Sequence, residues 1–399
     1  MFFESYRKNE CCGCTACLNA CPTRAITMQE DKEGFYYPSV NEELCVQCNL
    51  CRKVCSWDHP KYENEVAPLT FASVLKDKVE RQRSTSGGLF YAIAKWIIEQ
   101  GGVVYGAAFD NNLQLNHIGV DNVTDLQLLR GSKYIQSNLG RVFLNVKENL
   151  EKGKWCYFSG TGCQVAGLKA YLRKEYSKLI TSDVVCHGVP SQKIFNQHIK
   201  YLEKKYQDKV LKYLFRDYKL GGGSEIVSFR KRKPVINRTY FLSPYLYSFM
   251  YGYISRPSCY ECKFAYIPRQ GDITLADYWG VKHFFPKFDN SNGCSLLLLN
   301  TEKGRKLWDQ IKISCKYEVS KIEDATLYNS NLTQPTNKPE IRDKVYLLID
   351  EQGYDSVANQ LFRSPNYIKL KIINNILNLS ALKPLIYMYR RIKKCFYWI

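Results

Sequence analysis

From residue 69 onward the chain alternates short contiguous apolar runs with longer stretches of helical periodicity. TFASVL (70–75), VVYGAAF (103–109), WCYFS (155–159), LITSDVVC (179–186) and SLLLLN (295–300) are too short for buried helices and read as buried strands. GLFYAIAKWIIEQ (88–100) repeats its apolar positions at helical spacing and stops at Gly101-Gly102. Residues 163–176 and 191–207 likewise read as helices. Strands alternating with helices predict an α/β body around a mixed, largely parallel sheet, and 208–320 read as β-richer. Neither period holds in the first sixty residues, where Tyr36, Tyr37 and Pro38 suit one strand of a small α+β head. PKYENEVAPLT (60–70), polar with two prolines, reads as a linker. The expected organisation is a head (1–60), a linker (61–68), a body in two parts (69–150 and 151–325) and a helical, basic and aromatic extension (326–399).

The 399 residues are 45% hydrophobic and 14% aromatic, enough for a sizeable core. That excludes a disordered chain, a collagen-like fibre and a small disulfide scaffold. No stretch reaches about 18 consecutive apolar residues, so no spanning helix is expected. MFFESYRKNECCGC lacks a basic start followed by an apolar run, so no signal peptide and a cytoplasmic location are expected. Two quantities stand out: 17 cysteines and a net charge of +19. An odd cysteine count without an export signal argues for metal or redox chemistry over a disulfide framework.

The cysteines fall in two runs, Cys11-x2-Cys14-x2-Cys17-x3-Cys21-Pro22 and Cys45-x2-Cys48-x2-Cys51-x3-Cys55. This doubled spacing is that of a bacterial two-cluster ferredoxin, so the head reads as a ferredoxin-like α+β domain with two 4Fe-4S clusters. Three close thiolates wrap three corners of one cube, and the fourth, after a longer gap, reaches the other cube. One cluster would take Cys11, Cys14, Cys17 and Cys55; the other Cys45, Cys48, Cys51 and Cys21. Zinc sites use pairs of cysteines rather than triplets with a trailing fourth. Cys12 falls outside the pattern and reads as a spare small residue. Residues 1–60 carry six Lys/Arg and eight Asp/Glu, and each oxidised cluster adds about −2, so the head is acidic and the positive excess lies elsewhere.

Three glycine- and hydroxyl-rich turns interrupt the body: Ser84-Thr85-Ser86-Gly87-Gly88, Gly131-Ser132-Lys133-Tyr134 and Ser159-Gly160-Thr161-Gly162-Cys163. Small residues admit a ligand to the backbone, and helix N-termini suit phosphate. None is a Walker A loop or a GxGxxG fingerprint; each alone is an ordinary turn, but together, beside iron–sulfur chemistry, they favour a nucleotide-type cofactor such as FAD. Cys163 and Cys186 lie at strand ends on the carboxyl edge of the sheet, where α/β proteins place ligands. With Cys259-x2-Cys262 they form a candidate third cluster; the alternative is two buried apolar residues and a zinc half-site. Cys156, Cys294, Cys315 and Cys395 read as inert.

These segments resemble a known family, the beta subunit of deazaflavin (coenzyme F-420) hydrogenases and dehydrogenases with a fused N-terminal ferredoxin domain. The matching blocks are STSGGLF (84–90), GGVVYGAAFD (101–110), RGSKYIQS (130–137), GTGCQVAGLKAYL (160–172), VVCHGVPS (184–191), CYEC (259–262) and RQGDITLADYWG (269–280). The resemblance implies a flavoenzyme with FAD and a cluster in the body. By motif, Ser84, Ser86, Gly87 and Gly88 would lie at the flavin phosphates. Lys133 with Gly160, Thr161 and Gly162 would complete the flavin site. Cys163, Cys186, Cys259 and Cys262 would hold the third cluster. The family usually reads GTPCQ; Gly162 replaces the proline. Asp272, Asp277 and Trp279 belong to a C-terminal signature.

The expected activity is that of an iron–sulfur flavin-dependent oxidoreductase. A partner protein or reduced ferredoxin would feed the clusters, and the flavin would reduce or oxidise a small organic substrate or exchange hydride with a deazaflavin or nicotinamide. Surface-polysaccharide biosynthesis is one setting the resemblance suggests. His187 is a candidate proton donor; a hydrogen bond to the cluster is the blander reading. The rival from another class is a non-catalytic electron-transfer subunit. Nucleic-acid binding, prompted by the charge and by Arg230-Lys231-Arg232-Lys233, finds no supporting motif. Residues 366–399 hold seven Lys/Arg and no Asp or Glu, and YMYRRIKKCFYWI (387–399) suits an anionic membrane surface, a partner, or a helix packed on the body.

Overall fold

A computed structural model describes residues 2–217, 220, 223–289 and 291–378. The head holds an antiparallel pair, β1 (Ile26–Glu30) and β2 (Tyr36–Val40), and two short helices, Ala16–Ala20 and Leu50–Lys53. The hairpin is closed by Asp31, whose Oδ1 accepts from the N–H groups of Glu33 and Phe35 at 3.0 and 2.9 Å.

The body carries β3 (Leu69–Leu75), β4 (Val103–Phe109), β5 (Leu115–Val120), β6 (Cys156–Thr161), β7 (Leu179–Val184), β8 (Val210–Leu214), β9 (Glu225–Phe229), β10 (Val235–Asn237), β11 (Ile273–Asp277), β12 (Ser295–Leu299) and β13 (Cys315–Ser320). Eight of these form one sheet in the order β13-β3-β12-β11-β7-β6-β4-β5. Only its centre, β11-β7-β6-β4, is parallel; β5 closes one side and β12, β3 and β13 the other, all antiparallel. The sheet is therefore mixed, and less parallel than the alternating pattern suggests. Every residue of β12 is buried, as the uninterrupted SLLLL run requires of a strand covered on both faces. A small second sheet, β10-β9-β8, packs its buried Val227 and Phe229 into an aromatic core with Phe195, Tyr213, Phe215 and Tyr245.

Two predicted helices shift at their ends. The helix expected over 163–176 runs Gly162–Leu172, stopped by Arg173 in the left-handed region at φ 58°. It starts one residue early because Thr161 and Gln164 form a reciprocal capping box. The helix over 191–207 runs Gln192–Tyr206, capped by the Ser191 hydroxyl.

The head is seated on the body. Arg342, at the start of the helix Arg342–Gln352, grips both Glu33 oxygens at 2.6 and 2.5 Å. The Ser191 hydroxyl donates to the Glu33 carbonyl at 2.7 Å, and Asn19 donates to the Gly140 carbonyl at 3.0 Å. Residues 61–68 are strapped down: Tyr62 donates to the Lys263 carbonyl at 2.9 Å, and Asn64 to the Arg269 and Gly271 carbonyls at 2.7 and 2.9 Å.

Beyond β13 the described residues are helical, ending in Tyr367–Asn378, on which Ile368, Ile372 and Ile376 are exposed. The membrane or partner role expected of residues 387–399 lies outside the described residues. Among those described, no helix is long and apolar enough to cross a membrane.

Candidate functional site

The two cysteine runs fold alike. Gly13 and Thr15 have φ of 70° and 61°; Gln47 and Asn49, two and four residues after Cys45, have φ of 51° and 59°. Left-handed residues alternating with ordinary ones turn successive backbone N–H groups toward one point, forming a concave nest for an anion. A four-thiolate cubane is such an anion, so both loops fit one. Cys11, Cys14, Cys17 and Cys55 share a pocket: burial raises the Cys17 thiol, and the charges of Cys14, Cys11 and Cys55 raise it further. Cys51 is raised by burial and then by Cys48 and Cys45. At Cys21, burial raises the thiol, and hydrogen bonds from Thr23 and nearby backbone N–H groups outweigh it.

The four cysteines of the body also converge. Cys163 sits in the first turn of the helix Gly162–Leu172, Cys186 follows β7, and Cys259 and Cys262 belong to the 3-10 turn Pro257–Glu261 and its end. Burial raises the Cys259 thiol, followed by the charges of Cys186, Cys262 and Cys163. Burial pushes Cys186 up to about 11. Raised thiols gathered at one point suit an iron–sulfur cluster, whose binding releases their protons. Among the described residues no group of three or more His, Cys, Asp or Glu closes around a single metal ion. Single-zinc thiolates stand only about 3.8 Å apart, given Zn–S bonds near 2.3 Å.

The sequence reading missed Cys12. Its thiol is buried between the two sets, hydrogen-bonded to Cys14 of the head and Cys163 of the body. These bonds keep the proton on Cys12, raising its pKa and lowering those of Cys14 and Cys163. Cys12, Trp57, Ala166 and Phe264 form one small apolar cluster with Cys14, Cys55, Cys163 and Cys262 against it. The doubled cysteine at 11–12 was the available signal.

Gly167 makes this approach possible. A Cβ there would stand 2.8 Å from both Cβ and Sγ of Cys14. Gly167→Val is expected to push Cys14 outward and cost about 1–3 kcal/mol of stability by overpacking. Thermal unfolding and cluster-loss rate read this, and a variant that matches the parent in both removes the close approach from the account.

Gly162 is explained by packing. A Cβ at this position would lie 3.1 Å from Phe264 Cβ, so the turn Gly160–Gly162 presses on the loop bearing Cys262. Thr161 Oγ1 lies 3.1 Å from Cys163 Sγ. This turn therefore faces the cysteines of the body. The other two turns meet each other through Thr85 Oγ1 and Ser132 Oγ at 3.0 Å. Gly87 is pinned between strands: its N–H donates to Ser295 Oγ at 3.0 Å and its carbonyl accepts from Leu75 at 2.7 Å. Ser84 Oγ accepts from Arg130 at 2.9 Å, and Ser86 Oγ donates to the Cys294 carbonyl at 3.3 Å. Gly88 caps the helix Leu89–Glu99.

Lys133 joins the three turns. Its ammonium donates to the carbonyls of Leu129, Arg130 and Gly131 at 3.1, 2.9 and 3.3 Å. Burial pushes the amine down to about 7, and no carboxylate among the described residues pairs with it. It lies close to His117, whose Nε2 lies 3.0 Å from the carbonyl of Ser159, at the start of the third turn. A half-buried ammonium without an anion is the feature that fits a phosphate.

His187 is exposed, its carbonyl accepting from Thr336 at 2.9 Å. Near it, Arg216 pairs with Asp277 at 2.6 Å and lies over exposed Trp279 at 6.0 Å. Tyr134 touches Ser132 and Arg216, linking this group to the Lys133 turn. Nothing local in the sequence marks Arg216. Asp272, in contrast, is buried and accepts from the Thr181 N–H and hydroxyl at 2.8 and 2.7 Å, which makes it structural.

The cysteine geometry defines an iron–sulfur protein built for electron transfer, with redox centres in its head placed against a body of oxidoreductase-related type. Residues 153–325 belong to the coenzyme F420 hydrogenase/dehydrogenase beta subunit family, whose C-terminal region they match, and residues 10–59 to the "4Fe-4S dicluster domain" family. The turns at 84–88 and 131–133 lie outside both ranges. The B chain of anaerobic dimethyl sulfoxide reductase from Haemophilus influenzae is 36% identical over 70 residues, which are 17% of this chain and 32% of that protein. An uncharacterized polyferredoxin-like protein of Methanocaldococcus jannaschii is 31% identical over 80 residues, 18% of this chain and 45% of that one. The chain thus spans less than half the length of these curated relatives. One chain of the F420-reducing NiFe hydrogenase complex from Methanosarcina barkeri aligns over 73% of this chain and 91% of its own length at 18% identity, with a TM-score of 0.46.

Proposed function

We infer that the chain is an iron–sulfur flavin-dependent oxidoreductase with three 4Fe-4S clusters, two in the head and one held by Cys163, Cys186, Cys259 and Cys262. The observation that carries this reading is the contact of Cys12 with both Cys14 and Cys163, which sets a head cluster directly against the body. Clusters pass single electrons and a bound FAD exchanges two, which is the chemistry needed to couple a one-electron partner to an organic substrate.

The chain's own residues supply position and charge. The nests at 11–17 and 45–51 orient N–H groups toward the cluster sulfurs. Trp57 and Phe264 close the gap between head and body to water. Lys133 would meet a flavin phosphate, with Gly131, Ser132 and Thr85 beside it. Ser84, Ser86 and Gly87 are already engaged within the protein and act by shaping the turn. Tyr134, Arg216 and Trp279 line the adjoining surface, where a substrate or a deazaflavin or nicotinamide ring would approach. His187 remains the candidate proton donor there.

Lys133→Met is expected to weaken flavin binding about tenfold to a hundredfold, the worth of one charge-assisted hydrogen bond. Fluorescence titration of the flavin-stripped protein reads this, and an unchanged affinity removes Lys133 from the flavin site. The wider test is turnover: the isolated protein, given an artificial electron donor, reduces an added acceptor in a flavin-dependent way.

The relatives favour one second reading. The family is named for a beta subunit, and the B chain of dimethyl sulfoxide reductase is by its name one part of a larger enzyme. On this reading the protein wires a partner oxidoreductase through its clusters. No turnover alone, with rapid cluster reduction and no bound flavin, selects it.

A further inference from the structure

Arg256 is a buried cation with no carboxylate. It is 1% exposed. Its Nε donates to the Cys11 carbonyl at 2.8 Å, Nη1 to Gln136 Oε1 at 3.0 Å and Nη2 to the Tyr36 carbonyl at 3.0 Å. The guanidinium lies 4.2 Å from the Tyr37 ring centroid and 5.4 Å from that of Phe35. Every acceptor is neutral, and among the described residues no acidic side chain pairs with it. The other deeply buried arginines differ: Arg342 has Glu33, Arg130 has Glu80, Arg81 has Asp289 and Arg269 has Asp183. An uncompensated buried guanidinium is costly, so a counter-charge is expected close by.

The ionisable groups that act on Arg256 are Tyr37, Cys11, Cys12 and Cys259. Tyr37 and Cys12 keep their protons, their pKa values both being raised. Cys11 belongs to the head set Cys11, Cys14, Cys17 and Cys55, and Cys259 to the body set. Arg256 also opens the turn that carries Cys259 and Cys262, and Gln136, which it holds, donates through Nε2 to the Cys12 carbonyl at 2.9 Å. One guanidinium therefore touches the frame of both cysteine sets at the point where they meet.

We propose that Arg256 is the shared counter-charge of two clusters, the one held by Cys11, Cys14, Cys17 and Cys55 and the one held by the cysteines of the body, and that it raises both reduction potentials together. This rests on the three-cluster reading. Reduction adds one negative charge to a cluster, and a fixed cation beside it in a low-dielectric site favours that form. The cluster of Cys45, Cys48, Cys51 and Cys21 has no such neighbour among the residues acting on Arg256. The arginine thus makes the first head cluster and the body cluster better acceptors than the outer one, which directs electrons inward.

The test is an EPR-monitored redox titration of the full, iron-loaded protein and of Arg256→Gln. Two of the three potentials are expected to fall by at least tenfold in the one-electron equilibrium, about 59 mV, with the third unmoved. Arg256→Lys keeps the charge and is expected to restore most of the shift. If Arg256→Gln fails to retain iron, Gln136→Glu answers the same question, since a carboxylate beside Nη1 neutralises the guanidinium and is expected to lower the same two potentials. No shift, an equal shift of all three, or a lysine variant as low as glutamine overturns the proposal. If the parent protein holds only about eight irons, the body cluster fails with the wider reading. A fall of one head potential out of two then still supports the role of Arg256 at Cys11, and no fall removes it.

Discussion

Cys163→Ser is expected to lower the iron content from about twelve per chain to about eight and to disconnect the body from the head. The body cysteines come from three separate places in the fold, so losing one thiolate opens a corner that no nearby group refills. Cys12 is the nearest spare thiol, but it is committed to Cys14 as well. Serine keeps the helix Gly162–Leu172, because its start is fixed by Thr161 and Gln164 rather than by Cys163. The EPR signals of the head are therefore expected to persist while electron delivery from the head to the flavin stops; direct chemical reduction of the flavin survives. Full iron retention in this variant shows that Cys163 is not a ligand.

Glu33→Ala is expected to cost about 3 kcal/mol, the low end for breaking a buried ion pair. Arg342 is 3% exposed and Glu33 18%, so the carboxylate lost is partly hydrated while the guanidinium left behind is not. Arg342 also donates to the Ser255 carbonyl at 3.0 Å, next to Arg256, so the pair clamps the head hairpin to the turn that carries Cys259. The variant is expected to show a lower Tm and faster protease cleavage between head and body. Adding Arg342→Met is expected to recover most of the loss, since it removes the orphaned charge. A double variant as unstable as the single one contradicts this account of the clamp.

The head was legible because cluster chemistry imposes local spacing: three thiolates two residues apart leave few other readings, and the backbone obeys it in both runs. β4 matches its apolar run residue for residue, since a buried strand needs nothing else to declare it. What the sequence hid is non-local. Cys12 looks surplus until the head is placed on the helix Gly162–Leu172. Gly162 reads as a flexible turn residue until Phe264 is seen against it. Arg256 and Arg342 are two among 57 basic residues, and only burial distinguishes them. The three turns were visible as turns, but their division of labour depends on packing: two face Lys133 and one faces the cysteines. The antiparallel flank β12-β3-β13 escaped the alternation argument because β3 pairs with strands more than 200 residues away in sequence.

The central claim is that a head cluster and a body cluster stand side by side across Cys12. The direct test is iron analysis of the anaerobically purified protein combined with EPR of the dithionite-reduced sample. The account predicts about twelve irons and reduced clusters whose signals are broadened by mutual magnetic coupling, including one pair that Cys163→Ser uncouples. About eight irons, with a spectrum that Cys163→Ser leaves unchanged, would contradict it.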